Sequence, residues 1–94
     1  MPNMLVLYDI PSFAEEKWEE GMSGMGWKKV GRGTWLKSVP QSDVAVQEVT
    51  KAFQPLDLEL SEEDDEHVWL VYAGRDQAGN PQLGVKTLFG KKPG

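Results

Sequence analysis

The sequence predicts an α+β fold in which one antiparallel sheet is covered on one face by two helices. Three observations predict it. Apolar runs of strand length recur at residues 4–10, 34–39, 68–73 and 83–89, two stretches between them repeat apolar residues at helical spacing, and glycine or proline marks most junctions. The 94 residues make one domain, and a chain of this size buries only about 60–65% of its unfolded surface. It has no cysteine. A disulfide framework and a thiolate metal site are therefore excluded, and a partner subunit becomes the natural source of extra stability.

Residues 4–10 read as a strand closed by Pro11. Ser12 and Glu15 have capping-box spacing, and Ala14, Trp18, Met22 and Met25 follow on one helical stripe with Glu15, Glu16, Glu19 and Glu20 largely off it. Gly21, Gly24 and Gly26 weaken and then end that helix. Residues 27–30 begin a second strand, Gly31, Arg32 and Gly33 turn the chain, and residues 34–39 return as a third. Pro40 closes it, Ser42 offers a cap, and Ala45, Val49, Ala52 and Phe53 mark a second helix stopped by Pro55. An acidic loop leads to residues 68–73, the strongest strand signal in the chain. Gly79, Asn80 and Pro81 then turn into a last strand over residues 83–89. This order is the ferredoxin-like βαββαβ arrangement, an antiparallel sheet with two helices on one face and here an extra C-terminal strand. Residues 1–90 form the single ferredoxin-like domain and residues 91–94 a flexible tail.

The first strand is apolar on both faces, Leu5 and Leu7 on one and Met4, Val6, Tyr8 and Ile10 on the other. The late strand repeats this, with Val68, Leu70 and Tyr72 set against Trp69, Val71 and Ala73. Two helices cover one face. A large bare apolar patch is unusual on a monomer, so the expected cover for the other is a second copy of the chain, a homodimer. A tail folded back over the sheet is the alternative, and few apolar residues stand there to do it. No apolar run approaches the roughly 20 residues of a membrane span, and no N-terminal stretch has the make-up of a secretory leader. The expected location is cytoplasmic, with no membrane partner.

The formal net charge of −5 is unevenly spread. Residues 1–25 set five carboxylates against Lys17, and residues 26–52 set five cations against two carboxylates. Residues 53–76 set Arg75 against eight acids, and Lys86, Lys91 and Lys92 follow. Such a chain is repelled overall by nucleic acid, so contact with RNA or DNA falls to the basic segments. Lys28, Lys29, Arg32 and Lys37 on the hairpin are the candidate phosphate contacts, with Trp27 or Trp35 available to stack on a base. Protection of an exposed sheet edge explains these cations equally well.

Asp9 is the candidate catalytic and metal-binding residue. It closes an apolar strand just before Pro11, at the sheet's rim, where a twofold axis would bring two copies together. Facing carboxylates suit a hard cation such as Mg²⁺, which activates water or stabilises a phosphodiester transition state. Capping the turn near Ser12 is the competing role. Glu62, Glu63, Asp64, Asp65 and Glu66 are the candidate partner-binding residues. That run would mimic DNA phosphates toward a basic protein, or serve as a solvated loop guarding a β edge. His67, the lone histidine, reads as a surface residue, and Trp18, Trp35, Trp69, Met22 and Met25 read as core and interface packing.

Tyr8, Asp9, Ile10 and Pro11 after an apolar strand resemble the opening of the CRISPR-associated Cas-two family, whose element order recurs in VapD-type toxin ribonucleases and SinR-like proteins. Gly26-Trp27 and the basic hairpin leading into Thr34, Trp35, Leu36, Lys37 and Ser38 are similar to the family's middle, and residues 68–73 to its late Val-rich strand. The likeness covers roughly residues 4–74. It implies a symmetric dimer, a last strand that commonly crosses to the other subunit, and in some members Mg²⁺-dependent endonuclease activity centred on the residue matching Asp9. Other members are inactive, and the family's settings are defence and toxin–antitoxin systems. The first helix departs from the pattern, with four glutamates and one lysine where nuclease and DNA-bridging members tend to carry arginines and lysines. The alternative function is that of a non-enzymatic acidic interaction protein or inhibitor from a phage or mobile element.

Overall fold

The computed structural model describes residues 3–75 and 78–93. Its elements are β1 (Asn3–Asp9), a 3-10 turn (Ser12–Ala14), α1 (Glu15–Gly24), β2 (Lys28–Gly31), β3 (Thr34–Ser38), α2 (Ser42–Phe53), a second 3-10 turn (Gln54–Leu56), β4 (His67–Arg75) and β5 (Pro81–Gly90). The strands form one antiparallel sheet in the order β2-β3-β1-β4-β5. The expected α+β class, with an antiparallel sheet and two helices, is therefore the observed one. β1 is central, with Leu5 opposite Leu36 on β3 and Val71 on β4.

Strand alternation decides what each face does. Met4, Val6 and Tyr8 of β1 turn inward with Trp35, Val68 and Leu70 and meet Trp18 and Met22 of α1 and Ala45, Val49, Ala52 and Phe53 of α2. These are the stripes that the helical spacing predicts. The helices touch where Gly21 faces Ala52, and a Cβ at position 21 would lie 3.2 Å from the Ala52 Cβ. Gly26, at φ 87°, ends α1 as expected. Its N–H donates to the Ser23 carbonyl and the Trp27 N–H to that of Met22, the paired closure of a Schellman motif.

Both expected side-chain caps are corrected. Ser12 opens a 3-10 turn rather than capping α1, and no side-chain cap bond forms there. The turn itself supplies the partner, as the Ala14 N–H donates to the Pro11 carbonyl at 2.9 Å. Ser42 is already the first helical residue of α2, and extended Gln41 takes the cap position without a side-chain bond.

A polar link ties α2 to the sheet. Glu48 Oε1 accepts from Trp27 Nε1 at 3.1 Å and from Lys37 Nζ at 2.5 Å, and Lys37 also donates to the Met25 carbonyl at 2.5 Å. Glu48→Ala leaves both donors short of a partner while three-quarters of the Lys37 side chain is covered. It is expected to cost about 1–3 kcal/mol, readable as a lower midpoint in urea unfolding.

The last strand pairs with β4 of its own chain, Val85 opposite Val71 and Gly84 opposite Tyr72. A side chain at 84 would overlap the Tyr72 ring. Phe89 stacks on Phe53 with ring centroids 3.7 Å apart, which fastens the strand's end to α2. Beyond it, the Lys91 carbonyl accepts from Trp69 Nε1 at 2.6 Å, and Lys91 and Lys92 pair with Asp65 and Glu62. Gly94 of the expected tail lies outside the described residues.

The other sheet face carries Leu5, Leu7, Leu36, Trp69 and Val71, half-buried by their own neighbours, with Val85 and Leu83 51% and 83% exposed. No element of the chain among the described residues packs across it. Among the described residues no helix is long and apolar enough to cross a membrane.

Candidate functional site

Asp9 stands at the end of β1 on the uncovered face, in phase with Leu5 and Leu7 and exposed. Two neighbouring strands bring company to it. On β4 its partner in register is His67. On the other side, the Tyr8 N–H donates to the Gly33 carbonyl at 2.9 Å, which draws the β2–β3 turn against the rim. Gly33 is needed at that contact. Its φ is 72°, and a Cβ would lie 2.8 Å from the Tyr8 carbonyl oxygen. The turn brings Arg32 to the same cleft as Asp9, about 620 Å³ in volume and lined also by Leu7, Glu15, Lys29, Thr34, His67 and Trp69.

One wall of this cleft is aromatic. The His67 and Trp69 rings stack with centroids 3.8 Å apart and planes 22° from parallel. Each is tied at its edge: His67 Nδ1 lies 3.1 Å from the Asp65 carbonyl, and Trp69 Nε1 donates to that of Lys91. A carbonyl only accepts, so Nδ1 carries the hydrogen of that contact. Across the cleft stand Arg32, from the β2–β3 turn, and Lys29 with Glu15 from the helix-covered side. Lys29 donates to Glu19 at 2.5 Å, and that hydrogen bond holds its ammonium above the ordinary lysine value of 10.5. A raised lysine pKa contributes stability that is full at neutral pH and fades as pH climbs through the raised value. The pair is 45% and 40% exposed, so salt screens it. Arg32 makes no ion pair among the described residues.

The candidate residues divide. Lys29 and Arg32 join Asp9 in the cleft. Lys28, opposite Leu36, is exposed on the edge strand. Lys37 lies opposite Met4, so alternation carries it to the helix-covered face, where Glu48 takes it. The acidic run is a turn in which the Ser61 N–H donates to Asp64 Oδ2 at 2.5 Å. Its Glu62 and Asp65 pair with the tail lysines at 3.2 and 3.6 Å, while Asp65 keeps a side chain 97% exposed. Sequence reasoning missed His67 and Trp69 as members of the Asp9 site. Their period-two spacing was visible, but the register that sets His67 opposite Asp9 was not.

Among the described residues no three histidine, aspartate or glutamate side chains gather as a metal site. Asp9, Glu15 and His67 all line the cleft without gathering around one point, so a Mg²⁺ ion held by Asp9 needs oxygen ligands from a second copy or from substrate. The chain matches no protein-family model, no curated protein and no solved structure.

Proposed function

We propose that the protein is a homodimer of the Cas-two and VapD kind whose uncovered sheet faces pack together, with Asp9 of both copies forming a Mg²⁺-dependent phosphodiester-cleaving site. The fold underlying it is ferredoxin-like. The inner order β2-β3-β1-β4, with a helix after β1 and another after β3, supports that reading, and β5 adds a strand beyond it.

The observation that carries the proposal is that Asp9 shares the uncovered apolar face with Leu5 and Leu7. Pairing of that face over Leu5, Leu36, Val71 and Val85 would bury the apolar patch and bring Asp9 toward its copy, in an arrangement that keeps the His67 and Trp69 side of the cleft open to a ligand. A carboxylate pair with substrate oxygens suits Mg²⁺, which would polarise the phosphate and acidify a bound water. The Arg32 guanidinium, with its planar fork of donors, is suited to the non-bridging phosphate oxygens. The acidic run carries a separate protein-binding role less well, because Lys91 and Lys92 of the same chain already pair with it.

The test is cleavage of RNA and DNA by the pure protein with Mg²⁺ or EDTA. Asp9→Asn is expected to lower the rate about 100-fold or more while leaving the circular dichroism spectrum unchanged. Cleavage that survives the substitution removes Asp9 from the mechanism, and cleavage that survives EDTA removes the metal. A wild-type protein that cleaves nothing would leave an inactive relative of these nucleases.

A further inference from the structure

The geometry points to a base-stacking subsite on the aromatic wall of the cleft: His67 and Trp69 take the face of an unpaired nucleotide while Arg32 takes its phosphate. This rests on the phosphodiester reading of the same cleft and adds the form in which the ligand enters it.

The aromatic wall stands on β4, whereas Arg32 comes from the β2–β3 turn that the Tyr8–Gly33 hydrogen bond holds against the end of β1, so β1 lies between them. The cleft, at about 620 Å³, has room for one nucleotide. The aromatic wall is built before any ligand arrives. His67 is fixed by the Asp65 carbonyl and Trp69 by the Lys91 carbonyl, and the two rings already lie 3.8 Å apart in a stack. A base laid on it loses little ring freedom to binding, which is where preorganised sites gain affinity. Across the cleft Lys29 is engaged by Glu19, whereas Arg32 makes no ion pair among the described residues. A base within a duplex has both faces covered by its neighbours, so only an unpaired one presents a face to His67. Hydrogen-bond readout plays no part in the stack, so little base preference is expected.

The experiment is binding in EDTA at low salt, where metal-dependent cleavage is silent, followed by tryptophan fluorescence. Trp18, Trp27 and Trp35 are buried, so Trp69 is the indole that a ligand can quench. The probes are a short oligothymidylate, a duplex of the same length, and thymidine monophosphate. Single strands are expected to quench and to bind more tightly than duplex. His67→Ala is expected to weaken binding about five- to 150-fold. Arg32→Ala should weaken it and flatten its dependence on log salt by about 0.7, one phosphate contact on a single strand. Trp69→Phe keeps a ring in the stack and should bind while losing the quench. Mononucleotide binding as tight as the strand supports the subsite with a free nucleotide as its source, and tighter strand binding supports a polymer. Duplex bound as tightly as single strand, no binding by the folded wild type, or wild-type affinity in both His67→Ala and Arg32→Ala would overturn the subsite. Loss of Mg²⁺-dependent cleavage alone leaves it standing.

Discussion

Under the proposed pairing of uncovered faces, Val71→Lys is expected to turn a dimer into a monomer without unfolding it. Val71 lies mid-sheet on the uncovered face, opposite Leu5 on one side and Val85 on the other, and is half-buried by those neighbours alone. In the single chain a lysine there lies along the sheet and keeps its ammonium in water. In a twofold interface the same substitution counts twice. Losing the burial of one aliphatic side chain per copy costs about 1.5–3 kcal/mol each, or roughly 100-fold to 10⁴-fold in the dimer dissociation constant together. Light scattering reads the mass, and circular dichroism reads the fold. A wild-type protein already monomeric at high micromolar concentration would end the dimer reading, and with it the pairing of Asp9.

Gly90→Ala is expected to be the most damaging single-methyl change in the chain. Gly90 ends β5 opposite His67 at φ 86°. A Cβ there would overlap the Glu66 carbonyl oxygen and lie 2.8 Å from the His67 Cα. Both obstacles are backbone, so neither can swing aside. Positive φ alone costs about 1–3 kcal/mol, and displacing the strand adds to it, for a total near or above about 3 kcal/mol. That corresponds to a fall in Tm of about 12–24 °C for a domain of this size. Gly79 supplies the control, since its φ is also 86° but no atom lies within 4 Å of where its Cβ would be. Gly79→Ala should show the conformational cost alone, and a Gly90→Ala variant no worse than it would refute the backbone clash.

The parts of the fold that sequence conveyed are those set by periodicity. Ala45, Val49, Ala52 and Phe53 fall on one helical face because 3.6 residues make a turn, and all four are buried. Leu5 and Leu7 alternate with Met4 and Val6 because a strand alternates, and the two sets separate onto two faces. Contacts that depend on register were hidden. Lys37 resembles Lys28 and Lys29 in sequence, yet its place opposite Met4 and near Glu48 takes it out of the hairpin's basic surface. His67 gains its meaning from Asp9, 58 positions away in the chain, through a pairing that no local pattern encodes. The partner of β5 was equally illegible, because a strand that folds back and one that crosses to another subunit have the same alternation. The capping serines failed for a different reason. Backbone turns at Pro11 and Gln41 satisfied the helix starts first.

The central place of β1 has a consequence for how the chain comes together as it is made. This strand is synthesised first among the five, but one of its two neighbours, β4, follows more than fifty residues behind it, with Val6 finally meeting Leu70. Until β4 emerges, β1 can be held on one side only, by β3, and its other hydrogen-bonding edge stays open. Such non-local pairing slows folding and prolongs the exposure of sticky surface. The nascent protein thus passes most of its elongation as a half-finished sheet, dependent on its last third for closure.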